Sequence, residues 1–370
     1  MLGLRFAPSQ PTVLPCSEWI LMIFHGMIMQ KLQPIATFRT GAAGARFIIC
    51  LSGSMDALEP TEPYSRIYLR DERVHPNPWS FSEHHFAIPS VCLWRNPATG
   101  HRSFATLSEH GEVVLRLTSV VHEQIPDAGL NHPLAKGYGY LNDIQQIGTH
   151  LYACGFSGQV YRRNGDNDWV HMDQGILQKP GMNGGEYFAQ AINGPHERAI
   201  YLVGCEYRDG YPPRADFWNG HQWSRLDLPV TASRLTNIYV ESEERIIMCG
   251  DNGTLLAGNA RDGFTTMGPL DATQLFTSVT KFQDLYYLGS NMGLFQFNPK
   301  SVARAFRKVR TRLQPELQDA NIVEAVDDVL WSMGTKDIAR FDGVKWERFH
   351  HPDNPPIGGA DSASDAVPTS

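Results

Sequence analysis

"LYACGFSGQVYRRNGDNDW" (residues 151–169) holds an apolar run, a break of small residues around Gly155 and Gly158, a second apolar run, a polar turn and a tryptophan. It could be a glycine loop that cradles a phosphate, or one copy of a building block. A phosphate loop opens a helix, and here a strand follows. The same grammar returns in "IYLVGCEYRDGYPPRADFW" from Ile200, "IIMCGDNGTLLAG" from Ile246, "LYYLGSNMGLFQF" from Leu285 and "VLWSMGTKDIARF" from Val329. The glycines that close the first runs are Gly155, Gly204, Gly250, Gly289 and Gly334, separated by 49, 46, 39 and 45 residues. That period fits four short strands with their turns, so the glycine pair belongs to a repeated strand connection.

Each unit opens on an alternating run ("NDIQQI", "YFAQAI", "TNIYVE", "FTSVTKF", "NIVEAV") and closes, after a turn, on an aromatic residue such as Trp169, Trp223, Phe264 or Trp346. Two weaker copies come first. "FATLSEHGEVVLRL" (104–117) has Ser108 at the marker position, and "FIICLSGS" is followed by "SRIYLRD". Seven units predict an all-β, seven-bladed β-propeller of four-stranded antiparallel blades over 34–350, since a closed ring leaves few exposed strand edges. Residues 1–33 are expected to be an N-terminal extension and 351–370, poor in large apolar residues, a disordered tail.

The clearer units, 140–350, resemble the β-propeller repeats of the YVTN and BNR-like, WD40-like superfamily. "LWSMGTKDIARFDGVKWERF" is similar to propeller repeats in the sensor regions of two-component regulators. The resemblance implies the fold. Functions within the superfamily range over sialidases, lyases, ligand sensors and binding proteins, among them immunity proteins of bacterial toxin systems, and fold does not choose between them.

The residues argue against several of these. A sialidase box Ser-x-Asp-x-Gly-x-x-Trp is echoed only by "NARDGFTTM" (259–267), which lacks its serine and tryptophan. No HExxH, GxSxG or Walker-type pattern occurs. The doublets His84-His85 and His350-His351 would point to opposite faces of a strand and are read as surface or turn residues. No catalytic residue, cofactor or metal site is therefore expected. A net charge of -7 gives no field for attracting a phosphate backbone, so nucleic acid is excluded as the main ligand. The basic stretch "KSVARAFRKVRTR" (300–312) fits an outer strand with Phe306 in the aromatic position.

The apolar run "EWILMIFHGMIM" (18–29) is too short to span a bilayer and lacks a cleavage site, so no membrane partner is expected. Met27, Met29 or Met55 could be the true start. Cys50, Cys154 and Cys249 end apolar runs at similar points of separate units, as buried hydrophobes would. With Cys16, Cys92 and Cys205 they form no CxxC pair, which predicts reduced thiols and a cytoplasmic protein.

In a propeller the connections from second to third strand, and from blade to blade, emerge on one face, and long loops on a rigid scaffold carry function. The stretches 52–64, 122–140, 174–186 and 206–214 are long, whereas their counterparts in the last three blades are expected to be two or three residues. This lopsided rim mixes acids (Asp56, Glu59, Glu62, Asp127, Glu186, Asp209) with Tyr138, Tyr140, Tyr187, Tyr207, Tyr211 and Arg208. Tyrosine and arginine favour interface hot spots and carboxylates suit a basic partner. The expected partner is a protein, in its most concrete form a basic toxin covered by an immunity protein, with Asn142 and Asp143 completing the contact set. The alternatives are a ligand-sensing propeller, or an enzyme whose channel mouth holds Asn142, Asp143, Gln190, Asn237 and Asn321.

Overall fold

The computed structural model describes residues 35–357 apart from 60–61, 117–119, 131, 179–186 and 232. The run 18–29, Cys16 and Glu186 lie outside these residues. Seven separate antiparallel sheets, each a four-stranded meander in chain order, span 36–84, 90–124, 141–171, 187–225, 235–266, 276–308 and 322–349. They are numbered blades 1 to 7. The innermost strands (Ala36–Ala45, Ser90–Arg95, Leu141–Ile147, Tyr187–His196, Leu235–Ser242, Phe276–Phe282 and Ile322–Val326) touch in cyclic order, the last meeting the first. No α-helix occurs among the described residues.

The repeat glycine has a steric cause. In blades 3, 4 and 5 the innermost strand bulges at Asn142, Gln190 and Thr236, pushing its backbone toward the second strand. A Cβ on Gly155, Gly204 or Gly250 would stand 2.2, 1.8 or 2.0 Å from a carbonyl oxygen there. The third-to-fourth-strand turns are set by Asn219, Asn259 and Asp342, whose side-chain oxygens accept backbone N–H groups two and three residues on.

The core is distributed over the junctions between blades. A buried apolar cluster fills each one, and the outer-strand aromatics Trp169, Trp223, Phe264, Phe306 and Trp346 reach into those on their blades' leading side. Around the axis, side chains of one innermost strand accept backbone N–H groups of the next. Ser90 holds Ile144, Asp143 holds Ile192, Asn237 holds Val279, Ser278 holds Val323 and Glu324 holds Ala43, at 2.6–3.2 Å. Cys50, Cys92, Cys154, Cys205 and Cys249 are buried free thiols, and burial pushes Cys50 up to about 12.

The ring closes without exchanging a strand between its ends. At the seam of blades 7 and 1, buried Trp331 packs with Phe38, Tyr68 and Phe349 and donates to Ala45 O, while Phe38 N donates to Thr335 O. Residues 351–354 complete it, which corrects the expectation of a disordered tail from 351. His351 lies among the rings of Phe38, Tyr68 and Trp79 at 5.0, 4.3 and 4.6 Å. Asp353 accepts from Tyr68 and Arg66, and Asn354 accepts from Ala36 N. His351 and His84 are buried, so one member of each doublet is not the surface residue expected.

Candidate functional site

The second-to-third-strand connections and the blade-to-blade connections share one face. Bridges join Phe156 to Phe188, Asp251 to Leu275 and Ser290 to Ala320. The lengthening is less one-sided than the sequence suggested. The late connections 267–275 and 309–321 are also long. A chain leaving an outer strand must cross three strand spacings, about 14 Å, to start the next innermost strand, which sets a minimum length. What remains particular to blades 1 to 4 is the pair of second-to-third loops 56–64 and 207–212, with the longer connections 125–140 and 172–186.

On this face the rings form a continuous row. His110 lies 5.4 Å from Tyr140, Tyr140 5.9 Å from Phe156, Phe156 4.0 Å from Phe188, Phe188 5.1 Å from Tyr207 and Tyr207 6.0 Å from Tyr211. The row crosses blades 2, 3 and 4, and it ends on Tyr207 and Tyr211, 46% and 52% exposed. Tyr211 sits in the left-handed region (φ 43°), a conformation that costs energy for a residue with a side chain. The exposed Asp209 and Arg208 flank it, and buried Glu206 anchors both Arg208 and Arg225 at 2.8 and 2.5 Å.

The predicted residues divide. Tyr140, Tyr207, Arg208, Asp209 and Tyr211 are brought together on the rim. Tyr138 stands apart against His171, whose pKa is raised by its bond to Asp173 and by nearby Asp127. Tyr187 is a correction. It is fully buried, donates to Leu202 O and carries Arg214 over its ring at 3.9 Å. Side chains alternate along a strand, so its neighbour Phe188 faces the rim instead. Phe156, Phe188 and His110 were missed. For Phe188 the alternation of "YFAQAI" around buried Ala189 was the available signal.

Asn142 and Asp143 belong to the axis. With Gln190, Asn237 and Asn321 they line a central channel of about 670 Å³. Asn142 donates to Ala189 O, and Asp143 accepts from Ile192 N and Ser90 Oγ. Burial pushes Asp143 up to about 6 and Glu324 to about 7, against the backbone bonds each accepts. Both carboxylates line this channel, Asp143 from blade 3 and Glu324 from blade 7, and each holds a backbone N–H of the neighbouring blade. In blade 1, Asp56, Glu59 and Glu62 edge a cleft of about 400 Å³ at the second-to-third-strand loop. Asp56 pairs with Lys336 at 2.5 Å, and Glu59 and Glu62 are exposed. Among the described residues no three His, Cys, Asp or Glu side chains are grouped as metal ligands, and no helix is long and apolar enough to cross a membrane.

No protein-family model matches the chain. It is 30% identical over 246 residues to the immune protein Tsi7 of Pseudomonas aeruginosa, an alignment covering 66% of this chain and 74% of that protein. Solved propellers with similar folds include YCF48 bound to D1 peptide (TM-score 0.56, 14% identity, 86% of this chain and 93% of that one). Another is Chaetomium thermophilum Sqt1 bound to the N-terminus of the ribosomal protein L10 (TM-score 0.53, 13% identity, 83% and 85%). At such identities these two speak for the fold alone.

Proposed function

Because the chain belongs to the family of the immune protein Tsi7, we propose that it is an immunity protein that neutralises a cognate protein toxin by covering the toxin's basic active surface with its loop-bearing face. The observation that carries this reading is the aromatic row ending on exposed Tyr207 and Tyr211. Aromatic rings held against one another lose little freedom on binding, and such residues dominate interface energies. Asp209, Asp127 and the blade 1 acids Glu59 and Glu62 add negative charge on the same face, and the chain carries a net -7, which steers a basic partner toward it. The buried free thiols support a reducing, cytoplasmic location for the complex.

The test is co-expression of the full chain with the product of the adjacent gene. The pair is expected to co-purify as one complex and the chain to rescue cells from that product. A chain that neither co-purifies nor rescues overturns the reading.

A further inference from the structure

The seven outer strands differ in how they treat positive charge. Those of blades 1, 2, 3 and 5 (WSFSEH, VVHEQ, DWVH and GFTT) contain no lysine or arginine. Those of blades 4 and 7 contain one each, and both are answered: Arg225 pairs with Glu206 at 2.5 Å and Arg348 with Asp337 at 2.8 Å. Blade 6 departs from this pattern. Its outer strand Phe306–Lys308 and the residues flanking it expose Arg304, Arg307, Lys308, Arg310 and Arg312, and none of the five makes an ion pair among the described residues. The two nearby acids are engaged elsewhere: Asp284 holds Lys300, and Glu316 accepts from Thr311 N, Thr311 Oγ1 and Arg312 N.

The same edge offers main-chain groups. Phe306, Arg307 and Lys308 pair with Phe297, Gln296 and Phe295, and Val309 N donates to Leu294 O, so the pairing runs one residue past the strand. In an antiparallel pair the backbone groups of alternate residues point to opposite sides. With Val309 and Arg307 bonded inward, the N–H and C=O groups of Lys308 and Arg310 point outward, away from the blade. Charge on a sheet edge keeps uncharged and like-charged strands from adding to it. When the charge is all of one sign, it still admits a strand of the opposite sign, which turns the guard into a selector. The apolar residues between the cations, Phe306 and Val309, pack into the junctions on either side of the blade, so no ring stands out from this edge on which a base could stack.

We propose that the outer edge of blade 6 takes up an extended acidic segment of a partner protein as a fifth strand, main chain against main chain, with glutamate or aspartate side chains answering Arg307, Lys308 and Arg310. Carboxylates are what answer Arg225 and Arg348 on the equivalent strands. Strand addition supplies affinity through the backbone, and the unpaired cations supply the choice of segment. The site lies on a blade edge and not on the loop-bearing face, and it does not depend on the toxin reading.

The probe is a labelled peptide of alternating glutamate and threonine, ETETETE, titrated into the full chain by fluorescence anisotropy at constant ionic strength, with KTKTKTK as its counterpart of opposite sign. ETETETE is expected to bind saturably and KTKTKTK not at all. Hydrogen exchange with ETETETE bound is expected to show new protection of the backbone at 306–310, with the outer strand of blade 7 at 346–349 unchanged. The double variant Lys308→Glu, Arg310→Glu is expected to weaken binding by at least about tenfold with the melting temperature unchanged, since both side chains are exposed. The milder Lys308→Gln, Arg310→Gln is expected to fall between it and the parent, and guards against misfolding of the charge-reversed chain. Absence of saturable binding, equal binding of KTKTKTK, binding without protection at 306–310, or unchanged affinity in both double variants would each overturn the proposal. So would tighter binding of a short DNA duplex or of phosphatidylserine vesicles than of ETETETE, which would assign the cations to phosphate and not to an acidic strand.

Discussion

The seam between blades 7 and 1 and the rim over blades 2 to 4 are both rich in aromatic and charged residues, and they use them oppositely. At the seam, Trp331, Phe38, Tyr68 and His351 are buried, and the charges around them are paired: Arg340 reaches Glu72 and Glu347, and Arg66 reaches Glu83 and Asp353. At the rim the rings touch each other in a single row and leave Tyr207 and Tyr211 in solvent. Aromatic content therefore does not distinguish a joint from a docking surface. The difference is whether a second layer covers the rings.

That contrast predicts a double dissociation. The largest effect belongs to the seam: Trp331→Ala removes a fully buried side chain and is expected to cost roughly 3–5 kcal/mol, read as a lower denaturation midpoint, without altering the affinity of the protein that remains folded. A loss under about 1 kcal/mol would show that the ring does not depend on this joint. Next comes the rim. The double variant Tyr207→Ala, Tyr211→Ala is expected to weaken binding of the proposed toxin by at least ~2 kcal/mol, about 30-fold, with the melting temperature unchanged. An equal fall in stability would make these rings part of the fold.

The seam should also respond to pH. Burial holds His351 down at about 4, below its ordinary 6.5, so the unfolded chain takes up the proton first. The stability it contributes is full above pH 6.5 and is lost as pH falls through 6.5 toward 4. His351→Leu is expected to flatten that slope in melting curves, and an unaltered slope would assign it to other groups. Glu324 acts with the opposite sign. Its carboxyl is pushed up to about 7 by burial, so stability declines as pH rises from 4.5 through 7. Glu324→Gln keeps an acceptor for Ala43 N and should be more stable than the parent at pH 8 but not at pH 4. The smallest effect is the control Val302→Ser at a fully exposed residue, expected to change stability by less than about 0.5 kcal/mol and binding not at all.

Much of this contrast could be read from sequence where the cause is local. The glycine spacing worked because a bulged strand lies against each Gly155-type position, a constraint repeated in every copy it marked in blades 3 to 5. Outer-strand aromatics worked for the same reason. The rim was read less well because it depends on which way a side chain points. A frame wrong by one residue exchanged Tyr187 for Phe188, and adjacency of Phe156 to Phe188 is created only when two blades meet. His351 was misread for a further reason: its partners Phe38, Tyr68 and Trp79 lie at the other end of the chain, and no periodicity links them.

Hydrogen exchange of the full chain, alone and with the adjacent-gene product bound, tests the central claim most directly. The account predicts protection of the backbone at 207–212 and 125–140, with the turns at 72–78 and 96–101 on the opposite end unchanged. Protection confined to those turns, with 207–212 exchanging as in the free chain, would contradict it.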